Sequence, residues 1–251
     1  MTFTAAAESY DRFMGRYSSQ LAPQMADLAG IEAGQRVVDV GSGPGALTGE
    51  LVKRLGAAAV SAIDPAEQFV VALRDRYPGV DAHVGPAETL PFADGIFDAA
   101  LAQLVVHFMA DPLEGLREMA RVTRDDGVVV ACVWDNAGGR TPLAPFWNAA
   151  LELDPDIDDE SELAGSREGH LGELFLAVGL REVEETALPV RVEHETFEDW
   201  WEPFTFGVGP AGAYLSRVDA ERQAAIRERA LAALGEPFTL DARAWAARGV
   251  V

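Results

Sequence analysis

The stretch Val37-Val38-Asp39-Val40-Gly41-Ser42-Gly43-Pro44-Gly45 decides the fold. The apolar run from Gln35 to Val40 predicts a short buried strand, and the three glycines that follow within five residues predict a tight turn. Apolar residues between Gly45 and Leu55 then recur with a helical period. A buried strand, a glycine turn and a helix predict the first unit of a parallel sheet, with a ligand beside the helix N-terminus.

Strand and helix patterns continue to alternate through residue 134, which predicts βαβ units and a Rossmann-like, doubly wound, mostly parallel sheet in an α/β fold. Phe238 to Val250 again looks extended, and we expect this last strand to pair antiparallel beside Arg181 to Glu193. We expect one domain over residues 1–251. Its expected parts are an N-terminal helical arm (1–34), a cofactor-binding core (35–134), a helical lid with further helices (135–180 and 195–236) and the last strands (181–194 and 237–251).

Composition limits the classes of partner. Acidic residues outnumber basic ones 41 to 20, for a formal net charge of -21, so nucleic acid and anionic membranes are not expected partners. The single cysteine, Cys132, excludes an intrachain disulfide and a cysteine-based metal cluster, and no spacing of histidines suggests a metal. The first residues lack a signal-peptide pattern and no apolar run is long enough to span a bilayer, so a cytosolic location is expected.

Asp64 ends the second predicted strand, 19 residues after Gly45. An ionised carboxylate there accepts hydrogen bonds from both hydroxyls of a ribose. NAD and S-adenosylmethionine both carry a ribose, and Gly41, Gly43 and Ala46 also satisfy the dinucleotide-binding pattern. A structural alternative is a capping box at the next helix, because Glu67 follows Asp64 by three positions.

The segment Gly85-Pro86-Ala87-Glu88-Thr89-Leu90-Pro91-Phe92, followed by Asp94-Gly95-Ile96-Phe97-Asp98, separates these alternatives. With the glycine turn and Asp64, it resembles the class I S-adenosylmethionine-dependent methyltransferases, and among them the broad group of ubiquinone- and menaquinone-biosynthesis methylases. The resemblance covers residues 35–134. It implies in-line transfer of a methyl group from S-adenosylmethionine to an oxygen, nitrogen or carbon of a small-molecule acceptor, which needs alignment more than a catalytic triad. The alternatives are an NAD(P)-dependent oxidoreductase and a non-catalytic S-adenosylmethionine-binding protein.

The resemblance also implies where the cofactor lies. The implied positions are Asp39 behind the glycine loop, Gly41, Ser42 and Gly43 under the methionine moiety, Asp64 on the ribose, Pro65 against the adenine, Ala87 and Glu88 at the adenine edge, and Gln103 and Leu104 beneath the sulfonium. Pro86 departs from the family pattern, which often has an acid there to accept from the adenine amino group. A proline offers neither a backbone donor nor a side-chain acceptor, so the Ala87 N–H or another group must recognise the base.

Other candidates lie outside this core. The arm from Tyr10 to Tyr17 resembles the N-terminal lid of such enzymes, with Arg16 a candidate for the cofactor carboxylate and Tyr10 or Tyr17 for closing the pocket. His107 follows the fourth strand and is a candidate to orient or deprotonate the acceptor, with a structural histidine as the alternative. The candidates to wall the acceptor pocket, with core packing as the alternative, are Trp147, Trp200, Trp201 and Phe204.

Overall fold

A computed structural model describes residues 11–207 and 209–251. Within them, seven strands form one sheet in the order β3-β2-β1-β4-β5-β7-β6. The strands are β1 (Val37–Val40), β2 (Val60–Asp64), β3 (Asp81–Val84), β4 (Phe97–Gln103), β5 (Thr123–Trp134), β6 (Arg181–His194) and β7 (Phe238–Val250). β1 to β5 are mutually parallel, and β7 runs antiparallel to both β5 and β6. The predicted Rossmann-like fold and its antiparallel C-terminal strand are confirmed.

Both faces of the sheet are covered. Neighbouring residues of β1 point to opposite faces, and Val37 and Val38 belong to two different buried apolar clusters. The covering helices are α1 (Arg16–Leu28), α2 (Ala46–Leu55), α3 (Glu67–Arg76), α4 (Pro112–Val122), α5 (Ala144–Leu153), α6 (His170–Ala177), α7 (Phe197–Trp201), α8 (Gly209–Arg217) and α9 (Ala220–Leu234). α8 was not predicted, because it opens with Gly209 and Pro210, residues typical of loops. In the described part of the chain, no helix combines the length and apolarity needed to cross a bilayer.

Local chemistry sets where several elements begin. The Asp111 carboxylate caps α4 by accepting from the N–H groups of Leu113 at 3.0 Å and Glu114 at 3.1 Å. β2 begins at Val60, because residues 57–59 form a single helical turn before it. α3 begins at Glu67 with Ala66 as its N-cap, so the capping-box alternative for Asp64 is wrong.

Helix α1 is held against the carboxyl end of the sheet by polar contacts. The Gln20 and Gln24 side chains donate to the carbonyls of Arg191 (2.9 Å) and Pro189 (3.0 Å), which satisfies part of the open edge of β6. The Gln103 side chain, at the end of β4, donates to the Ser18 carbonyl at 3.1 Å. The first turns of α1 therefore lie above the edge of the sheet where ligands bind in open α/β folds.

Candidate cofactor site

A cavity of about 370 Å³ lies at the carboxyl ends of β1, β2, β3 and β4. The predicted site residues that line it are Gly41, Gly43, Asp64, Pro65, Ala87, Glu88, Gln103 and Leu104. Pro86, discussed above for adenine recognition, also lines the cavity, and the lining residues that sequence reasoning missed are Phe69, Val105, Phe108, Met109 and Ala110. Most of these are apolar residues on α3 or after β4, and nothing in their local pattern distinguishes them from core residues.

A smaller cavity, of about 20 Å³, lies under the glycine loop and shares Gly41, Gly43 and Gln103 with the first. Its lining includes Asp39 and Ser42, the other two predicted core residues. Asp39 Oδ1, Ser42 Oγ and Gln103 Oε1 are buried and have no hydrogen-bond partner in the described structure. All three atoms can accept a hydrogen bond, so this cavity suits a donor such as an ammonium group.

Two backbone features bring the loops after β1 and β4 into contact. Gly41 has φ 71°, and a Cβ atom there would lie 2.4 Å from both Cγ atoms of Val105. Real Cβ contacts are never that short, so the close approach requires glycine. Leu104, the next residue after β4, is itself left-handed with φ 62°, a strained conformation for a side chain of this size.

The backbone N–H groups of the glycine loop are already used within the protein. Those of Gly41 and Ser42 both donate to the Ile63 carbonyl, at 2.8 and 3.0 Å. The Gly43 N–H donates to Asp64 Oδ2 at 2.8 Å, and the Gly45 N–H donates to the Ser42 carbonyl at 3.0 Å. A pyrophosphate or other anion would therefore find the N–H groups of these four residues already bonded.

Two carboxylates dominate the electrostatics of the site. Asp39 is completely buried, and its Oδ2 accepts from the Thr48 hydroxyl at 2.6 Å. Burial raises the pKa of Asp39 to about 7, and the negative charge of Asp64 adds to the rise. Burial also raises the pKa of Asp64, although its two oxygens accept from the N–H groups of Ala66 and Gly43, each at 2.8 Å. A cation in these cavities would favour the ionised form of both acids.

Arg16 and Tyr17 line neither of these cavities. Both contact His194, and all three side chains line a third cavity of about 10 Å³. Contact between the cofactor and Arg16 or Tyr17 stays a prediction, and Tyr10 lies outside the described residues.

His107 also lines neither cofactor cavity, whereas its neighbour Phe108 does. The His107 imidazole is buried against the Phe108 ring, with 3.9 Å between the centroids, and its Nδ1 has no partner among the described residues. Burial lowers the pKa of His107 to about 3, so the ring is neutral at physiological pH. Its proposed role toward an acceptor stays a prediction.

The four aromatic residues predicted to wall an acceptor pocket belong to one buried cluster. Phe146 packs against Trp147, Trp201 and Phe204 at centroid distances of 5.2, 6.1 and 4.8 Å, and Trp200 packs against Phe204 at 4.9 Å. Trp200 and Phe204 line the third cavity, beside Arg16 and Tyr17. The other two line none of the three cavities, which supports core packing at those two positions.

Comparison with known proteins identifies the segment that builds this site. Residues 38–131 match the family model described as a methyltransferase domain. An uncharacterised methyltransferase of Mycobacterium tuberculosis is 34% identical over 140 residues, 56% of this chain and 54% of that protein. A demethylmenaquinone methyltransferase of Mycolicibacterium paratuberculosis is 40% identical over 103 residues, 41% of this chain and 43% of that protein. The chain thus spans about half the length of the curated relatives it matches.

A solved structure shows the same fold over almost the whole chain. A Haloferax volcanii methyltransferase, solved in complex with the Trm112 methyltransferase activator, superposes with a TM-score of 0.61 at 20% identity, covering 99% of this chain and 96% of that one. The predicted resemblance to methyltransferases is confirmed, since residues 38–131 match the methyltransferase domain model and the relatives similar to this part of the chain are named methyltransferases.

Proposed function

We propose that this protein transfers the methyl group of S-adenosylmethionine to a small-molecule acceptor. When bound, this cofactor supplies an electrophilic methyl group on a positively charged sulfur. The observation that carries the proposal is the set of unpaired buried acceptors on Asp39, Ser42 and Gln103, beside a larger cavity that contains the Asp64 carboxylate. These acceptors match the ammonium and ribose hydroxyl donors of the cofactor, and they suit no group that brings only negative charge.

Charge argues against the oxidoreductase alternative. Among the described residues, the lining of the two cavities contains Asp39, Asp64 and Glu88 but no lysine, arginine or histidine. A dinucleotide would place a doubly charged pyrophosphate against these acids, and the N–H groups of the glycine loop that would receive it are already bonded. S-Adenosylmethionine instead brings a sulfonium and an ammonium group. The same acids that repel a pyrophosphate attract these two cations.

The other residues fit the remaining parts of the cofactor. Each Asp64 oxygen accepts one backbone N–H and retains a lone pair for a ribose hydroxyl. Phe69 and Pro65 supply apolar surface beside it for the adenine. Methyl transfer requires the acceptor to be held in line with the sulfonium and water to be excluded. We assign both tasks to the residues that surround the carboxyl ends of the strands.

Some relatives are named demethylmenaquinone methyltransferases, and we extend an acceptor of that kind, a ring compound, to this protein. The acceptor atom, the cytosolic location and the absence of nucleic-acid or membrane partners stay predictions from the sequence.

Calorimetry with S-adenosylmethionine, S-adenosylhomocysteine and NAD tests the proposal. We expect both adenosyl ligands to bind and NAD to bind weakly or not at all; tight NAD binding with no response to the adenosyl ligands refutes it. The Asp64→Asn variant should weaken adenosyl-ligand binding by about 1.5–3 kcal/mol, because hydrogen bonds to a charged acceptor contribute about that much. A screen of metabolites with methyl-labelled cofactor then identifies the acceptor.

A further inference from the structure

Arg16, Tyr17 and His194 form a polar cluster that the cofactor cavities do not include. Tyr17 Oη lies 2.9 Å from His194 Nε2, and Arg16 Nη1 lies 3.2 Å from His194 Nδ1. The imidazole stacks on Phe238, with centroids 4.9 Å apart and planes within 9°. The Tyr17 ring packs edge-on against Trp134, the last residue of β5, at 6.4 Å. The cluster therefore stands over the carboxyl end of β5, on the side of the sheet where an acceptor approaches.

The direction of the hydrogen bonds follows from the chemistry of the three groups. A guanidinium only donates, so His194 Nδ1 must accept from Arg16 and carries no proton. The pKa of His194 is lowered to about 4, by burial first and then by Arg16, so at neutral pH its remaining proton is on Nε2. That proton is donated to Tyr17 Oη. The hydroxyl hydrogen of Tyr17 then points elsewhere, and no acceptor for it is present in the described structure.

We propose that Tyr17 donates its hydroxyl hydrogen to an oxygen of the methyl acceptor, and that Arg16 and His194 are positioning residues that fix this direction. The acceptor class is a ring compound that carries a carbonyl or hydroxyl oxygen. This inference rests on the proposed function, and names the substrate class for that same site. Burial raises the pKa of Tyr17 above its usual range, so the phenol stays protonated and remains a donor.

The surroundings of the cluster support a neutral ring rather than a strong anion. The cavity that these residues line, about 10 Å³, holds about one oxygen atom. Its aromatic walls include Phe13, Trp200 and Phe204, with Phe13 and Phe204 edge to face at 5.2 Å. These rings must separate to admit the body of the acceptor and would then contact its faces. Arg12 and Arg16 line the same cavity with the exposed Asp199, and Arg12 also forms an ion pair with Glu202. The two positive charges are thus matched by two carboxylates, so the site has little preference for a net charge.

The first test measures the protonation of His194 in the intact protein. In ¹⁵N-histidine-labelled protein at pH 7, long-range ¹H–¹⁵N spectra separate the two tautomers, and a His194→Phe variant assigns the signal. We expect a protonated Nε2 and an unprotonated Nδ1. The opposite tautomer would make Tyr17 the donor to His194 and would overturn the inference. This measurement needs neither cofactor nor acceptor, so it stands even if the proposed function fails.

The second test uses 2-naphthol and naphthalene as probes, with binding followed by ligand-detected NMR with and without S-adenosylhomocysteine. We expect 2-naphthol to bind the wild type more tightly than naphthalene, and Tyr17→Phe to weaken 2-naphthol roughly two- to tenfold, the range for one neutral hydrogen bond, without affecting naphthalene. Tyr214→Phe is the matched control, because Tyr214 packs against Trp147 in the same cluster but lies outside the small cavity.

Three results would overturn the inference: no saturable binding of 2-naphthol, no effect of Tyr17→Phe, or an equal effect of Tyr214→Phe. Affinity for S-adenosylhomocysteine is measured separately in each protein. If the wild type does not bind S-adenosylhomocysteine, the proposed function is refuted, and the probe results still decide whether Tyr17 donates to an oxygen of the bound ring. If Tyr17→Phe does not fold, the tautomer measurement on the wild type remains decisive.

Discussion

Cofactor binding should release a proton from Asp39. This carboxyl is completely buried, its Oδ1 has no partner among residues 11–207 and 209–251, and its pKa is raised to about 7. Within the same part of the chain, Asp64 supplies the one charge that adds to this shift, and Thr48, which donates to the carboxylate, is neutral. An ammonium group beside Oδ1 favours the ionised carboxylate, so binding the cofactor and losing the proton are linked.

The pKa sets the size of the effect. With a pKa of about 7 in the free protein, about nine tenths of Asp39 is ionised at pH 8 and about one tenth at pH 6. If the bound form stays ionised over this range, affinity for S-adenosylhomocysteine should fall about tenfold from pH 8 to pH 6. At pH 7, about half a proton should be released for each ligand bound.

Calorimetry in two buffers of different ionisation enthalpy measures the released proton directly. The control is Asp39→Asn, which retains an acceptor for the Thr48 hydroxyl and cannot ionise. Since the ligand ionises identically with both proteins, the difference between their pH profiles isolates Asp39. Equal proton release by wild type and variant, or an affinity that is flat from pH 6 to 8 in both, would refute the reasoning.

Three further predictions use the ligand-free geometry. Gly41→Ala should lower the free energy of unfolding by about 1–3 kcal/mol in chemical denaturation, because its Cβ would overlap Val105. Adding Val105→Ala should recover part of this loss, and a fully stable single variant would contradict the reasoning. Phe108→Ala should weaken S-adenosylhomocysteine binding by about 1 kcal/mol, since this 58% exposed ring lines the cavity, whereas Leu176→Ala, at a 63% exposed leucine outside it, should not. His107→Asn should leave the affinity for S-adenosylhomocysteine within about threefold of the wild-type value. Turnover of an acceptor by the wild type should show no inflection near pH 6.5, because a base with a pKa of about 3 is poorly matched to neutral pH.

The fold was predictable because its signals are local. Buried parallel strands are continuous apolar runs, and the glycines after β1 mark a turn in the sequence itself. The reason why Gly41 must be glycine, its close contact with Val105, becomes visible only in three dimensions. The core of the site followed from this order of strands, since parallel strands end at one edge and bring Gly43, Asp64 and Gln103 into one cavity. Element boundaries and α8 were less predictable, because capping and short helices depend on tertiary context.

The cluster around His194 shows why the acceptor side was not predictable. Arg16 and His194 are 178 positions apart, and their contact depends on how α1 packs across the end of β6. Sequence reasoning ranked His107 first because it follows a parallel strand. His194 had a weaker claim, although it is the last residue of β6, which runs parallel to β5 and ends at the same edge of the sheet. Both histidines therefore lie at this edge, and only the packing of α1 beside His194, which no local pattern predicts, distinguishes them.

The glycine turn itself was the most ambiguous part of the sequence, since its pattern serves dinucleotides and S-adenosylmethionine equally. What separates the two is the use of the N–H groups after β1. The Ile63 carbonyl and the Asp64 carboxylate, at the end of β2, accept hydrogen bonds from the N–H groups that could otherwise donate to a pyrophosphate. In the described structure, carboxylate, hydroxyl and amide oxygens without partners border the small cavity beside the turn, and they would favour a cation over a pyrophosphate. On the proposed function, the strand beside the motif, more than the motif itself, sets the sign of charge preferred at this site.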